Sequence, residues 1–117
     1  MNTLLHELNH FTGSEVFYRH PLNRKIIYTQ GVQYLAEKAE AYWLLDYIVS
    51  NQHNPKIKIE PFQVWQIKVN EHNKAAIWVE DGNKNRIKSF KLEFTDFPLP
   101  EFTLWLTDST LLLPNEY

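Results

Sequence analysis

His6-Glu7-Leu8-Asn9-His10 spells the H-E-x-x-H pattern, in which two imidazoles one helical turn apart hold Zn²⁺ and the carboxylate between them activates a water for hydrolysis. A working site of this kind also needs a third protein ligand and a cleft, and only His20 or Glu37 offers itself for that role. Helix geometry argues against the reading. At about 3.6 residues per turn, Leu4, Leu5, Leu8 and Phe11 gather into one apolar stripe, while His6 and His10 fall on the far side. The stripe should face the core and leave the imidazoles in water. The expectation is therefore no functional metal and no cofactor, with two outward imidazoles able to pick up Zn²⁺, Ni²⁺ or Cu²⁺ adventitiously.

A second constellation centres on Asp46, an acid inside an otherwise apolar helical stretch, because a buried carboxylate must find hydrogen-bond or cationic partners. Arg19 and His20 are its expected partners. The structural reading is an internal ion pair that fixes the irregular segment 14–28 against the core helix. The functional reading is an acid/base pair in a pocket lined by Tyr18, Tyr28 and Tyr42, which would make the protein a small hydrolase or a ligand binder. No nucleophile elbow, Walker lysine or G-x-G-x-x-G loop accompanies it, and zero cysteines removes thiolate chemistry. Arg19, His20, Arg24 and Lys25 form a local basic cluster beside Tyr18 and Tyr28 that could hold a phosphate or a strand end. The chain as a whole carries 12 Lys+Arg against 14 Asp+Glu, a formal charge of -2, so broad nucleic-acid binding is disfavoured and a solvated loop is the simpler account.

The elements that must position these residues can be read from periodicity. The 117 residues suit one domain with one core, mainly helical over 1–54 and mainly strand over 55–117. Hydrophobic and aromatic contents of 44% and 15% exclude disorder. No apolar run approaches the roughly 20 residues a bilayer span requires. No secretory leader opens the sequence, so the expected location is the cytoplasm. Residues 3–11 read as a short helix with Thr3 as N-cap and Gly13 past its end, and Ser14 with Glu15 suggests a further short helix. Pro21 and Asn23 mark a turn within an irregular stretch. Thr29 caps the next helix, on which Val32, Leu35, Ala36, Ala39 and Trp43 share a face. Carrying that phase onward would bury Asp46. Restarting it at Ala41 groups Ala41, Leu44, Leu45 and Ile48, so a break is expected near Ala39–Glu40. Residues 41–49, apolar nearly all round, should form a core helix covered on several sides.

After Asn54-Pro55 the period falls to two. Strands are expected at 62–70, 75–81, 86–94, 102–107 and 110–113, paired antiparallel in sequence order, with tight turns at Asp81-Gly82-Asn83 and Thr107-Asp108-Ser109. Pro98 and Pro100 separate the third and fourth strands. Alternation puts Trp65, Ile67, Val69, Ile77, Val79, Phe90, Leu92, Phe94, Phe102, Leu104 and Leu106 on the helix-covered face. Phe62, Val64, Ala76, Trp78 and Trp105 lie on the opposite face, among Gln66, Lys68, Glu80, Lys91 and Thr103. Two tryptophans there suggest a contact surface for a second copy or another protein, unless the tail Leu111–Tyr117 folds back over them.

The stretches Phe11-Thr12-Gly13-Ser14-Glu15, Tyr18-Arg19-His20, Tyr28 to Glu37, Ala41 to Asp46, Phe62-Gln63-Val64-Trp65, Glu80-Asp81-Gly82-Asn83, Phe94 to Leu99 and Leu111 to Tyr117 together resemble a small single-domain bacterial family of unknown function. The resemblance implies a bacterial protein, of a kind found in filamentous cyanobacteria and on mobile elements, and brings no activity, catalytic residue or cofactor. The family pattern is expected to begin near Phe11, past the pentapeptide, and to include Tyr18, Arg19, His20 and Asp46.

The sequence thus predicts an α+β fold, its N-terminal helices packed on one face of a four- to five-stranded antiparallel meander. The expected function is protein contact, as a homodimer through Trp78, Trp105, Phe62 and Val64. The alternatives are the Arg19/His20/Asp46 pocket and, last, a zinc-dependent hydrolase.

Overall fold

The computed structural model describes residues 2–13 and 16–117. The helix suggested at Ser14 and Glu15 lies outside the described residues. Helix α1 (Asn2–Leu8) is followed by strands β1 (Phe17–Arg19) and β2 (Ile27–Thr29), then by helices α2 (Gln30–Lys38), α3 (Tyr42–Ser50) and α4 (Pro55–Lys58). Strands β3 (Phe62–Val69), β4 (Ala75–Glu80), β5 (Arg86–Leu92), β6 (Glu101–Thr107) and β7 (Thr110–Leu112) complete the sheet, and a 3₁₀ turn spans Pro114–Glu116.

Local chemistry explains the boundaries. The Thr29 hydroxyl accepts the Val32 N–H at 3.2 Å and so starts α2 where the sequence placed it. Glu40 adopts a left-handed φ of 51°, which ends α2 and lets α3 restart its phase at Ala41. Asn54 caps α4 through its side chain, and Pro55 fills the first helical position, where no N–H is needed. The strands at 62–112 fall within two residues of their expected limits. In the hairpin after β4, the residue with positive φ is Lys84, at 68°, and neither Gly82 nor Asn83. The Asp81 carboxylate sets that turn by accepting from the backbone of Asn83 and Asn85 and from the Asn85 side chain, which holds its pKa below the usual value.

Several expectations fail. The sheet has seven strands in the order β1-β2-β7-β6-β3-β4-β5. Strands β1 and β2 come from the segment read as irregular, because three residues are too few to display an alternation. Strand β2 pairs parallel to β7, so the sheet is mixed. A meander is also wrong: β6 returns to pair with β3, leaving β5 at the edge. The connection through Pro98 and Pro100 is long enough to cross over, and it places β3, with its fully alternating burial, between two neighbours. Phe94 lies past the end of β5 and is 70% exposed, off the core face where alternation had placed it.

Helix α1 begins at Asn2, so Thr3 sits inside it and is no cap, and it ends at Leu8, before Phe11. Leu8 is buried while Leu5 is exposed, because two turns of helix can press only a narrow stripe against the core.

Side chains of α2 and α3 (Val32, Leu35, Leu44, Leu45 and Ile48) share one cluster with Trp65, Ile67, Ile77, Val79 and Leu104 on the sheet. Each such leucine or isoleucine stabilises the fold by about 1.5–3 kcal/mol when removed from water. Helix α3 is not covered all round, since Tyr42 is 43% exposed. Nor does every helical element share one face. The chain end beyond the 3₁₀ turn packs on the opposite side, with the Tyr117 ring 5.4 Å from Trp105 and 5.6 Å from Phe62. Gly31 makes this path possible. A Cβ there would stand 2.7 Å from Leu113 Cδ1 and 2.8 Å from Glu116 Cδ.

Candidate functional site

The H-E-x-x-H residues disperse. His6 and His10 are exposed, with ring centroids 5.1 Å apart and edge-on. Glu7 turns inward instead, and its carboxylate accepts a hydrogen bond from the Tyr34 hydroxyl, tying α1 to α2. The two side chains suggested as third ligand are engaged elsewhere: Glu37 accepts from Gln33 Nε2 at 3.2 Å and from the Tyr42 hydroxyl at 3.4 Å, and His20 pairs with Asp46. Among the described residues no three His, Asp or Glu side chains converge as a metal site would require.

The His20–Asp46 pair exists, with the burial reversed. His20, at the end of β1, is 1% exposed, whereas the Asp46 side chain is 51% exposed. The restart of α3 after Glu40 rotates Asp46 off the buried stripe. His20 Nδ1 accepts the Leu22 backbone N–H at 3.0 Å, so the ring proton resides on Nε2 and is donated to Asp46 Oδ1 at 2.9 Å. Both nitrogens are consumed by the protein. An imidazole held this way has no lone pair left for a substrate, and the arrangement pins the turn after β1 to α3. Arg19 takes no part: it is exposed, and its guanidinium donates to the Arg24 carbonyl at 2.5 Å.

The three tyrosines do gather around the pair. Tyr18 stacks on Tyr28 across the β1–β2 ladder with centroids 5.5 Å apart, and Tyr28 presents its edge to His20 at 6.4 Å. Burial raises the Tyr28 pKa above 10.0, and the neighbouring Tyr42, Tyr18 and Asp46 add to the rise. The large concavity, an open cleft of about 1210 Å³, lies at the end of the sheet among Asn23, Lys25, His53, Lys58, Asp108 and Ser109, and neither His20 nor Asp46 lines it.

With this geometry in view, the chain can be assigned. Residues 2–117 match the family described only as a family of unknown function (DUF6876). The chain belongs to that family. The match starts at residue 2, so the pentapeptide falls within it and the expected start near Phe11 is corrected. No curated protein and no solved structure matches the chain. Membership of DUF6876 assigns no activity, and no helix among the described residues is long and apolar enough to cross a membrane.

The opposite sheet face carries the other expected site. Phe62 and Trp105 rings meet at 5.1 Å, and Tyr117 closes the cluster, so the tail does fold back over Trp105. Trp78 is shielded differently: its Nε1–H donates to Glu80 at 2.6 Å and the Arg86 guanidinium lies 4.4 Å over its ring. Phe62, Val64, Trp78 and Trp105 all remain partly exposed.

One residue that sequence reasoning missed is Glu116. Its carboxylate accepts the Thr29 hydroxyl at 2.6 Å, the Gly31 N–H at 3.3 Å and the Leu113 N–H at 2.9 Å, supplying an anion to the start of α2. The available signal was that α2 has no acidic residue in its own first turn. Asn115 Nδ2 meanwhile donates to the carbonyls of Leu8, at 3.4 Å, and Phe11. The closing Pro-Asn-Glu-Tyr is thus a structural clasp.

Proposed function

We propose that this protein works by protein contact, as a bacterial cytoplasmic homodimer whose subunits meet through the sheet face of Phe62, Val64, Trp78 and Trp105. The observation that supports the reading is that α2 and α3 cover one face of the sheet, while the other carries aromatic side chains that their own neighbours only partly shield. A stable dimer buries about 800 Å² per partner around an apolar centre with a polar rim. Here Tyr117 extends the centre, and Gln66, Lys68 and Thr103 supply the rim. The saturated imidazole of His20 weighs against the acid/base alternative. A cysteine-free composition is in keeping with a reducing compartment.

Light scattering coupled to size exclusion tests this at micromolar concentration. Twice the monomer mass is expected for the native chain, falling to the monomer mass for Trp78→Ala combined with Tyr117→Ala. A native chain that stays monomeric up to millimolar concentration overturns the proposal.

A further inference from the structure

Strand β1 ends the sheet with only one neighbour. His20 N–H donates to the Ile26 carbonyl at 2.9 Å, and by the two-residue period of an antiparallel ladder Tyr18 also faces β2. The N–H and C=O groups of Phe17 and Arg19 therefore point away from the sheet. Val16 and Phe17 beside them are about half exposed, so nothing among the described residues closes this edge. The Arg19 side chain is folded onto the Arg24 carbonyl and so leaves the edge clear.

The side of β1 that faces the helices has an unusual chemistry. Tyr18 stacks on Tyr28 at 5.5 Å, and Tyr42 and Asp46, one helical turn apart on α3, also lie close enough to Tyr28 to act on its charge. Asp46 uses Oδ1 for His20 and has half its side chain in water, leaving Oδ2 without a hydrogen-bond partner among the described residues. Tyr28 is 91% buried, from a 9% exposure, yet its hydroxyl makes no hydrogen bond with any described residue. Since no buried side-chain polar atom among the described residues is left unsatisfied, that hydroxyl must reach the surface, within electrostatic range of the Asp46 carboxylate. Glu37, hydrogen bonded to the Tyr42 hydroxyl, adds a second negative charge nearby. Phenol oxygens, ring faces and two carboxylates are what a guanidinium or ammonium group binds.

We propose that the open edge of β1 accepts an extended segment of a partner protein, and that an arginine or lysine of that segment enters the Tyr18–Tyr42–Asp46 cluster. In such an added strand, the residue opposite Tyr18 projects onto the same face as Tyr18, toward α3. Main-chain hydrogen bonds to Phe17 and Arg19 hold the segment, and the cationic side chain selects it.

The test is a titration of ¹⁵N-labelled protein with a capped hexapeptide of alternating threonine and valine that carries one central arginine, against the same peptide with glutamine in its place. The amide signals of Phe17 and Arg19 should shift, and the arginine peptide should bind about fivefold more tightly. Asp46→Asn keeps an acceptor for His20 while removing the charge, and Tyr42→Leu removes an exposed ring. Each should abolish most of the arginine preference, read as the ratio of the two peptides' affinities for the same variant. Equal affinity for both peptides, shifts confined to β5, or no shift at Phe17 and Arg19 at millimolar peptide overturns the proposal.

Discussion

His6 and His10 stand in a motif and anchor nothing else among the described residues, whereas His20 stands in no motif and is gripped at both ring nitrogens. The contrast teaches that spacing along a helix confers chemistry only if the helix turns that face toward other groups. In α1 the stripe that packs inward carries Leu8 and Glu7, and Glu7 is spent on Tyr34. At the end of β1 the chain turns inward, and the imidazole does the work of a buried crosslink.

The sharpest way to break the comparison is His20→Ala, which removes a buried ring and strands the Leu22 N–H. We expect a loss of about 2–4 kcal/mol in urea unfolding. Asp46→Ala removes the other end of the same bond from a half-exposed site, so water compensates and the loss should be about 0.5–1.5 kcal/mol. Tyr34→Phe, which removes the hydroxyl that Glu7 accepts from, should cost less than Asp46→Ala by the same measurement. His6→Ala combined with His10→Ala should change stability by less than about 0.5 kcal/mol. A double mutant as damaging as His20→Ala would erase the distinction.

The remaining effect is a loss of stability that appears only at alkaline pH. Burial raises the pKa of Tyr28 and Tyr47 above 10.0, and the hydrogen bond to Glu7 raises that of Tyr34. Because the folded value exceeds the unfolded one, the stabilisation is complete below pH 10 and is lost as pH rises through the folded values. An ultraviolet titration of the native protein should show these three phenols ionising later than in the same chain in denaturant.

Much of the fold was legible because local signals decide it. Thr29 as a cap, the break before Ala41, and the alternation of β3 and β4 depend on neighbours a few residues away. Strands β1 and β2 were not legible, since three residues carry no period and their identity depends on the remote β7. The return of β6 to β3 likewise rests on a pairing that no single segment encodes. At the candidate site, the pairing of His20 with Asp46 could be read from residue types. Which partner is buried could not, because it follows from the rotation of α3 after Glu40.

The clasp formed by Glu116 has a consequence for how the molecule comes into being. The amide and hydroxyl groups at the head of α2 are neutralised by a residue made long after them, and β2 docks on β7 from the same late stretch. On the ribosome the helices must therefore emerge before the segment that anchors them, so closure of the native state waits on contacts of great sequence separation. A fragment truncated at residue 58 should fail to hold its helices, and adding residues 59–117 in trans should restore them.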